Sequence, residues 1–238
     1  IIICGVILWG GSIIIVSDYF VINIIFTVLW ILFFINAVGL FDNIDLGLSS
    51  FSLSFLIFLF IIGVINMTSY MVLLMISSYI GSILTFSFFN KYPSKIFMGE
   101  IGSLQIGSLL SLVSIHIIWS DYSELSFFNL FYNLLVVNIF NVIIFFDVLF
   151  VFYYRWKSKN PILKGDTTHL SHRFTNLGFS PNLFALFMVL MNAIAFLTYY
   201  SIEISNFFTY ELGAIIICLY YTLLFILFFY FFNYKVNS

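Results

Sequence analysis

Three polar intervals of this chain carry residues that could do chemistry. The most specific is residues 90–103, which lies between two long apolar runs and contains Phe97, Glu100, two glycines and two serines. Glycines let a backbone approach a ligand closely, and a carboxylate offers the hard oxygen that Mg²⁺ prefers. This composition predicts a phosphate- or metal-handling loop at a membrane surface. For this interval taken alone, a simple turn between two helices is the alternative.

An earlier interval, residues 36–47, contains Asn36, Asp42 and Asp45 at the end of another apolar run. If a helix continues through it, the two aspartates project from one face about a turn apart. Carboxylates at this depth are costly unless they are hydrated, paired or bound to a cation. The pattern therefore indicates a site, and a helix N-cap is the alternative for Asp45.

The third interval, residues 153–181, is the longest and contains Arg155, His169, His172 and Arg173. Histidines beside an arginine can contact phosphate or transfer protons near neutral pH. Ordinary loop histidines are the alternative. Asp147 lies just upstream, on a predicted helix that also carries four asparagines: Asn129, Asn133, Asn138 and Asn141. Polar groups this dense in a span are expected to face the interior of the bundle.

Long apolar helices must position these intervals. The chain is 63% hydrophobic and only 8% charged, against roughly 25% charged in soluble domains, which predicts an integral membrane protein. A spanning helix needs about 20 apolar residues. Eight candidates are approximately residues 1–17, 19–38, 51–67, 70–89, 104–119, 127–152, 183–200 and 212–232. These runs are too long and too uniformly apolar for a β-barrel, so we predict an all-α membrane helix bundle.

We expect residues 1–238 to form a single membrane domain. The chain opens on Ile1, already inside an apolar run, and we expect it to be a fragment that lacks upstream helices. Cys4 and Cys218 lie in separate apolar runs. They indicate neither a disulfide nor a zinc site, and we predict that both are small core residues.

The basic residues give the orientation. With eight crossings, every lysine and arginine falls on the face that also carries the predicted site loops, residues 39–50, 90–103 and 153–181. The positive-inside rule makes that face cytoplasmic. The opposite loops carry only acidic charges, namely Asp18, Asp121, Glu124, Glu203 and Glu211. A basic face suits anionic lipids and substrates, and nucleic acid is not implied.

In their order, the three intervals resemble the signatures of the polyprenyl-phosphate N-acetylhexosamine-1-phosphate transferases, glycosyltransferase family 4. Residues 36–47 are similar to its Asn-Ala-x-Asn-x-x-Asp-Gly-x-Asp-Gly-Leu segment, and residues 90–103 to its Asn-x-x-Pro-Ala-Lys-x-Phe-Met-Gly-Asp-x-Gly-Ser loop. Asp147, Arg155, Gly165, Asp166 and residues 169–173 resemble its third signature, an Asp, an Arg and then Asp-x-x-His-x-His-His-Arg. The resemblance runs to about residue 181.

This resemblance implies a reaction in which a lipid phosphate oxygen attacks the β-phosphorus of a UDP-sugar and releases UMP. It implies Mg²⁺ held by Glu100, uracil stacked on Phe97, and the nucleotide held by Asn36 and Asn90. It implies catalytic roles for Asp42, Asp45, His169 and His172. It implies that substrate also contacts Arg155 and Arg173.

The implied partners are a UDP-sugar, polyprenyl (undecaprenyl) phosphate and the lipid bilayer, and a homodimer is left open. The implied location is a bacterial inner membrane with a cytoplasmic active site, where the reaction starts lipid-linked cell-envelope glycan synthesis. The His-x-x-His-Arg pattern at residues 169–173 favours the N-acetylglucosamine-type branch over the muramoyl-pentapeptide branch.

The chain departs from the family pattern at several positions. Gly39 and Asn43 stand where the first motif has Asn and Gly, Leu46 stands at its second Gly, Glu100 replaces Asp, and Ser171 replaces a His. The family's adjacent Asp pair on an earlier loop is missing with the first helices. A catalytically inactive membrane scaffold is therefore one alternative. A transporter is another alternative, although a transporter would be expected to carry ionisable residues near the centres of its spans.

Overall fold

The computed structural model describes residues 13–119, 127–159, 169–204 and 210–233. In these ranges the regular structure is helical, which confirms the all-α prediction. The helices are α1 (Phe20–Phe41), α2 (Gly47–Ile65), α3 (Tyr70–Asn90), α4 (Gly99–Ser114), α5 (Phe127–Val137), α6 (Val142–Lys157), α7 (Leu170–Asn176), α8 (Pro181–Tyr199) and α9 (Tyr210–Asn233). Short π-helical turns, Ile115–Trp119 and Tyr200–Ile204, extend α4 and α8.

Six helices are long and apolar enough to cross a membrane: α1, α2, α3, α8, α9 and α4 with its π-helical turn. The pair α5 and α6 makes a seventh if it counts as one span. These seven correspond to the second to eighth predicted spans. The first, residues 1–17, lies mostly outside the described residues. The chain is an integral membrane protein.

The prediction of one continuous helix over residues 127–152 is wrong, because the chain bends by 89° between α5 and α6. Asparagines occupy the break. The Asn138 amide donates to the Leu134 carbonyl at 2.7 Å, and the buried Asn141 amide donates to the Val137 carbonyl at 3.1 Å. Asparagine side chains compete with the backbone for hydrogen bonds in this way and so favour helix ends.

Close helix packing holds the bundle together. α1 lies against α4, where Gly107 approaches α1 so closely that a Cβ atom there would sit 2.9 Å from the Ile35 Cα. Small residues at such positions are what lets membrane helices touch. α2 packs on α3 and α8, and the buried Asn192 amide of α8 donates to the Phe51 carbonyl at 2.9 Å and the Ser54 hydroxyl at 2.8 Å of α2.

The outward faces of the bundle are also apolar, as expected of a surface that meets lipid. Leu74 of α3 is 59% exposed and Ile226 of α9 is 63% exposed. Cys218 lies on the same exposed surface of α9, so the prediction that it is a core residue is wrong. Cys4 lies outside the described residues.

Candidate active site

Two of the three predicted intervals come together at one end of the bundle, where α1 and α3 end and α2 and α4 begin. Between them lies a cavity of about 560 Å³, which we call the cleft. Its lining is Asn36, Gly39, Leu40, Asp42, Asn43, Ile44, Asp45, Asn90, Phe97, Met98, Gly99, Glu100, Ser103 and Leu104. Six of the ten predicted site residues are among these: Asn36, Asp42, Asp45, Asn90, Phe97 and Glu100.

The two aspartates do not share a helix face, because α1 ends at Phe41 and Asp42 is its C-cap residue. Asp45 lies in the turn that follows, and both side chains still reach the cleft. The alternative that Asp45 caps the next helix is wrong. The N-cap of α2 is Leu46, and no side chain caps it.

Asp42 is a half-buried carboxylate of the cleft. Burial raises the pKa of the Asp42 carboxyl above its ordinary value of 3.8, because desolvation disfavours the charged form. Asp42 also lies at the C-terminal end of α1, which is the negative end of the helix dipole. A carboxylate in this setting takes up a proton or a cation more readily than one in water.

The opposite wall of the cleft presents an aromatic ring and a carboxylate at the start of α4. Phe97 is 78% exposed, and Glu100 is exposed in the first turn of the helix. Gly99, which precedes it, has φ of 70°, a left-handed conformation that glycine adopts at little cost. The positive end of the helix dipole favours anions at this place.

Hydrogen bonds connect the two walls. The Ser94 backbone N–H donates to Asp45 Oδ2 at 3.1 Å, and the Leu46 N–H donates to Asn90 Oδ1 at 2.8 Å. The Asn90 Nδ2 donates in turn to the Ile96 carbonyl at 3.0 Å. These hydrogen bonds join the first polar interval to the second, so each interval holds the other in place beside the cleft.

Three carboxylates line the cleft, yet in the part of the chain that the structure describes no three His, Cys, Asp or Glu side chains gather tightly enough to hold a metal ion. Mg²⁺ commonly takes only one or two protein carboxylates and completes its shell with water and substrate phosphates. The oxygen donors of Asp42, Asp45 and Glu100 fit that chemistry.

The third interval is organised around a buried contact between a carboxylate and an imidazole. His169 Nδ1 lies 2.7 Å from Asp147 Oδ2, and the Leu170 N–H donates to Asp147 Oδ1 at 2.6 Å. Asp147 and His169 are both buried. The expectation that Asp147 faces the bundle interior is confirmed, and its carboxylate anchors the start of α7 to α6.

The four predicted residues of this interval are not among those that line the cleft. Arg173 Nη1 donates to the Phe232 carbonyl at 2.6 Å, and its guanidinium lies over the rings of Tyr154 and Phe232 at 4.6 and 4.3 Å. Arg155 is buried on α6, and His172 is half-buried on α7. Gly165 and Asp166 lie outside the described residues.

Sequence reasoning did not find the apolar part of the cleft. Leu40, Ile44, Met98 and Leu104 line it, but in a chain this hydrophobic nothing in their residue types separates them from their neighbours. Their proximity in sequence to Asp42, Asp45 and Glu100 is the one signal that could have indicated them.

Comparison with known proteins agrees with the family resemblance of the polar intervals. Residues 3–118 match the family described as "Glycosyl transferase family 4". The chain is 41% identical over 92 residues to a phospho-N-acetylmuramoyl-pentapeptide-transferase of Streptococcus uberis, covering 39% of this chain and 27% of the relative. It is 42% identical over 98 residues to the Lactococcus lactis protein of the same name, covering 40% and 30%.

A longer match, 32% identical over 173 residues, covers 71% of this chain and 45% of a Bacillus subtilis protein named "Probable undecaprenyl-phosphate N-acetylglucosaminyl 1-phosphate transferase". The chain thus spans less than half the length of the relatives it matches. The family match contains the whole first interval and the whole second interval, and so both walls of the cleft. Residues 3–118 of this chain are thus identified as a glycosyl transferase family 4 domain.

Proposed function

We propose that this chain forms the catalytic cleft of a membrane enzyme that transfers a sugar 1-phosphate from a UDP-sugar to polyprenyl phosphate. The observation that carries the proposal is the meeting of Asp42, Asp45, Glu100 and the exposed Phe97 in one cleft at the ends of membrane helices. Phosphoryl transfer needs mainly positioning and neutralisation of spreading negative charge. A cleft with carboxylates for a cation and a helix N-terminus for an anion meets both needs.

In the proposed reaction an oxygen of the lipid phosphate attacks the β-phosphorus of the UDP-sugar. The new bond joins the two phosphates, the bond from the β-phosphorus to the oxygen of UMP breaks, and UMP leaves with that electron pair. Asp42, whose pKa is raised by burial, is suited to accept a proton from the lipid phosphate. Phe97, with its exposed ring, offers a flat apolar surface for the uracil.

The donor set supports Mg²⁺ as the cation, with Glu100 as its protein ligand. When bound, Mg²⁺ supplies neutralisation of the phosphate charges. We propose N-acetylglucosamine 1-phosphate as the transferred group, because the relative aligned over most of this chain is named for that reaction. The relatives named for the muramoyl-pentapeptide substrate match shorter segments. We place the enzyme in a bacterial inner membrane with the cleft on the cytoplasmic side.

The test is UMP release by membranes that contain the natural protein carrying this chain, with undecaprenyl phosphate as acceptor. We expect release with UDP-N-acetylglucosamine, dependence on added lipid phosphate, and loss on removal of Mg²⁺. Faster release with UDP-N-acetylmuramoyl-pentapeptide would contradict the sugar assignment alone. Absence of release with both donors would contradict the function and favour an inactive membrane scaffold.

A further inference from the structure

A buried carboxylate of α6, Asp147, holds the start of α7 through both of its oxygens. Oδ1 accepts from the Leu170 N–H at 2.6 Å, and Oδ2 lies 2.7 Å from His169 Nδ1. Asp147 is fully buried and His169 is only 2% exposed. One carboxylate thus fixes both a side chain and a backbone N–H that lie 22 and 23 residues further along the chain.

α7 depends on such an anchor because it is short. It has seven residues, and isolated helices below about 12 residues are marginal in water. The N-cap residue His169 makes no side-chain cap hydrogen bond, so Asp147 supplies from another helix the acceptor that a cap normally offers. At the other end of α7, Arg173 Nη1 donates to the Phe232 carbonyl of α9 at 2.6 Å. The helix is therefore tied to α6 at its start and to α9 at its end.

The same two contacts decide which ring nitrogen of His169 carries a proton. An ionised carboxylate can only accept hydrogen bonds, whereas a neutral imidazole has one donor and one acceptor nitrogen. Because Asp147 Oδ2 lies at hydrogen-bond distance from His169 Nδ1, an ionised Asp147 requires Nδ1 to be the donor. The acceptor of a neutral ring is then Nε2.

His169 Nε2 is the ring nitrogen that remains for another partner. Within the described ranges, the ring makes no hydrogen bond besides the one at Nδ1. A carboxylate on one ring nitrogen keeps an imidazole oriented and its other nitrogen ready to accept a proton, as in the Ser-His-Asp triad. The contact with Asp147 therefore selects Nε2 as the nitrogen through which His169 would act on a substrate.

We infer that Asp147 is a positioning residue that keeps a proton on His169 Nδ1 and so directs the ring to act through Nε2. The place of the proton follows from the two contacts of the Asp147 carboxylate. Its consequence for catalysis rests on the proposed function, so the proton and the catalysis need separate measurements.

The first measurement is nitrogen NMR of the imidazole rings in the purified chain, isotope-labelled at histidine and held in detergent. The chain has three histidines, His116, His169 and His172, so His116→Gln and His172→Gln identify the His169 signals by exclusion. At about pH 8, where an ordinary imidazole is neutral, we expect a proton on His169 Nδ1. An Nδ1 without a proton would overturn the inference.

The second measurement is the same spectrum of Asp147→Asn. The asparagine oxygen can still accept from the Leu170 N–H, which leaves its NH₂ group to donate to His169 Nδ1. The ring proton should therefore move to Nε2. The matched control is Glu203→Gln, at a carboxylate bonded to the Tyr132 hydroxyl elsewhere in the bundle, which should leave the proton on Nδ1. A proton that stays on Nδ1 in Asp147→Asn would show that Asp147 does not set the tautomer.

The third measurement is UMP release, which tests the consequence for catalysis. We expect Asp147→Asn to lower kcat at least about 100-fold, because Nε2 becomes a donor where the parent has an acceptor. Glu203→Gln should keep the parental kcat. A parental kcat in Asp147→Asn would overturn the role of Asp147 in the reaction. If the parent releases no UMP, the proposed function fails, while the position of the His169 proton still decides the role of Asp147 in the folded chain.

Discussion

Two carboxylates of the cleft lie at helix ends where the helix dipole acts on negative charge in opposite ways. Glu100 sits in the first turn of α4, where the helix dipole favours a carboxylate, and Asp42 sits at the C-cap of α1, where the dipole opposes one. Burial adds to the cost at Asp42. A carboxylate in such a place lowers the free energy of unfolding, and such a cost is common at functional sites. Each carboxylate therefore has its own testable consequence.

For Asp42 the consequence is a pH-dependent stability. Because the pKa of Asp42 in the folded chain is raised, the stabilisation from its neutral form is fully present below the ordinary pKa and is lost as pH rises through the raised pKa. We expect Asp42→Asn, which stays neutral, to have a higher Tm than the parent at about pH 7, with a difference that closes toward about pH 4. Thermal unfolding in detergent across this pH range measures it.

The control for this prediction is Asp18→Asn, at an exposed acidic residue outside the cleft, which should leave the parental pH profile of Tm in place. A Tm for Asp42→Asn at or below that of the parent at neutral pH would contradict the idea that Asp42 is held at a cost.

For Glu100 the consequence is a change in the response to magnesium. Mg²⁺ demands near-octahedral geometry with oxygens at about 2.0–2.1 Å. In the proposed enzyme Glu100→Gln should nearly abolish UMP release, because it removes the charge from the ligand, and Glu100→Asp should retain much more activity. Turnover against Mg²⁺ concentration for parent and variants is the measurement. Glu211→Gln, at an exposed acid of α9, is the control, and a Glu100→Gln variant with the parental curve would remove Glu100 from the site.

Among the helices, the contact between α1 and α4 matters most for the cleft, because α1 ends and α4 begins at its walls. Gly107 makes this contact, and a Cβ atom there would lie 2.9 Å from the backbone of Ile35. Backbone cannot move aside as a flexible side chain can. The distance between these two helices is therefore set by the absence of a side chain at one position.

We expect Gly107→Ala to destabilise the chain by about 1–3 kcal/mol, the usual cost of overpacking. The matched control is Gly81→Ala on α3, where nothing lies within 4 Å of the added Cβ and alanine is the better helix former. Chemical or thermal unfolding in detergent compares the two variants with the parent. Equal stabilities of the two variants would show that α1 and α4 are not tightly packed at Gly107.

At the scale of the whole molecule, α3 is long and apolar enough to put its two flanking loops on opposite sides of a membrane. It has 21 residues, which at about 1.5 Å per residue is the thickness of the hydrocarbon core. Met67, in the loop before α3, is 92% exposed, and Lys95, in the loop after it, is also exposed. Thiol labelling at these two positions therefore shows which side of the membrane the cleft faces.

In a background without Cys4 and Cys218, we expect Met67→Cys to react with a membrane-impermeant thiol reagent in intact cells. Lys95→Cys should react only after the cells are permeabilised, because the positive-inside rule places the basic loops in the cytoplasm. Labelling of Lys95→Cys in intact cells, with Met67→Cys protected, would contradict the cytoplasmic cleft.

The sequence by itself determined the membrane bundle and the two cleft intervals. Both are local properties: a span is a run of apolar residues long enough for the bilayer, and Asp42, Asp45, Phe97 and Glu100 were recognisable from short motifs. The bend between α5 and α6 was not predictable in this way. Apolar residues continue on both sides of it, and the asparagines that mark it read equally well as buried polar groups of one helix.

Only the tertiary structure decided which side chains meet. Asp147 and His169 are 22 residues apart and Leu46 and Asn90 are 44 apart, and no local pattern encodes such pairings. Only the structure, likewise, distinguished inside from outside, as the exposed Cys218 shows. In water a hydrophobic residue belongs in the core, but in a bilayer the lipid is as apolar as the core, so hydrophobicity no longer tells the two apart and packing decides.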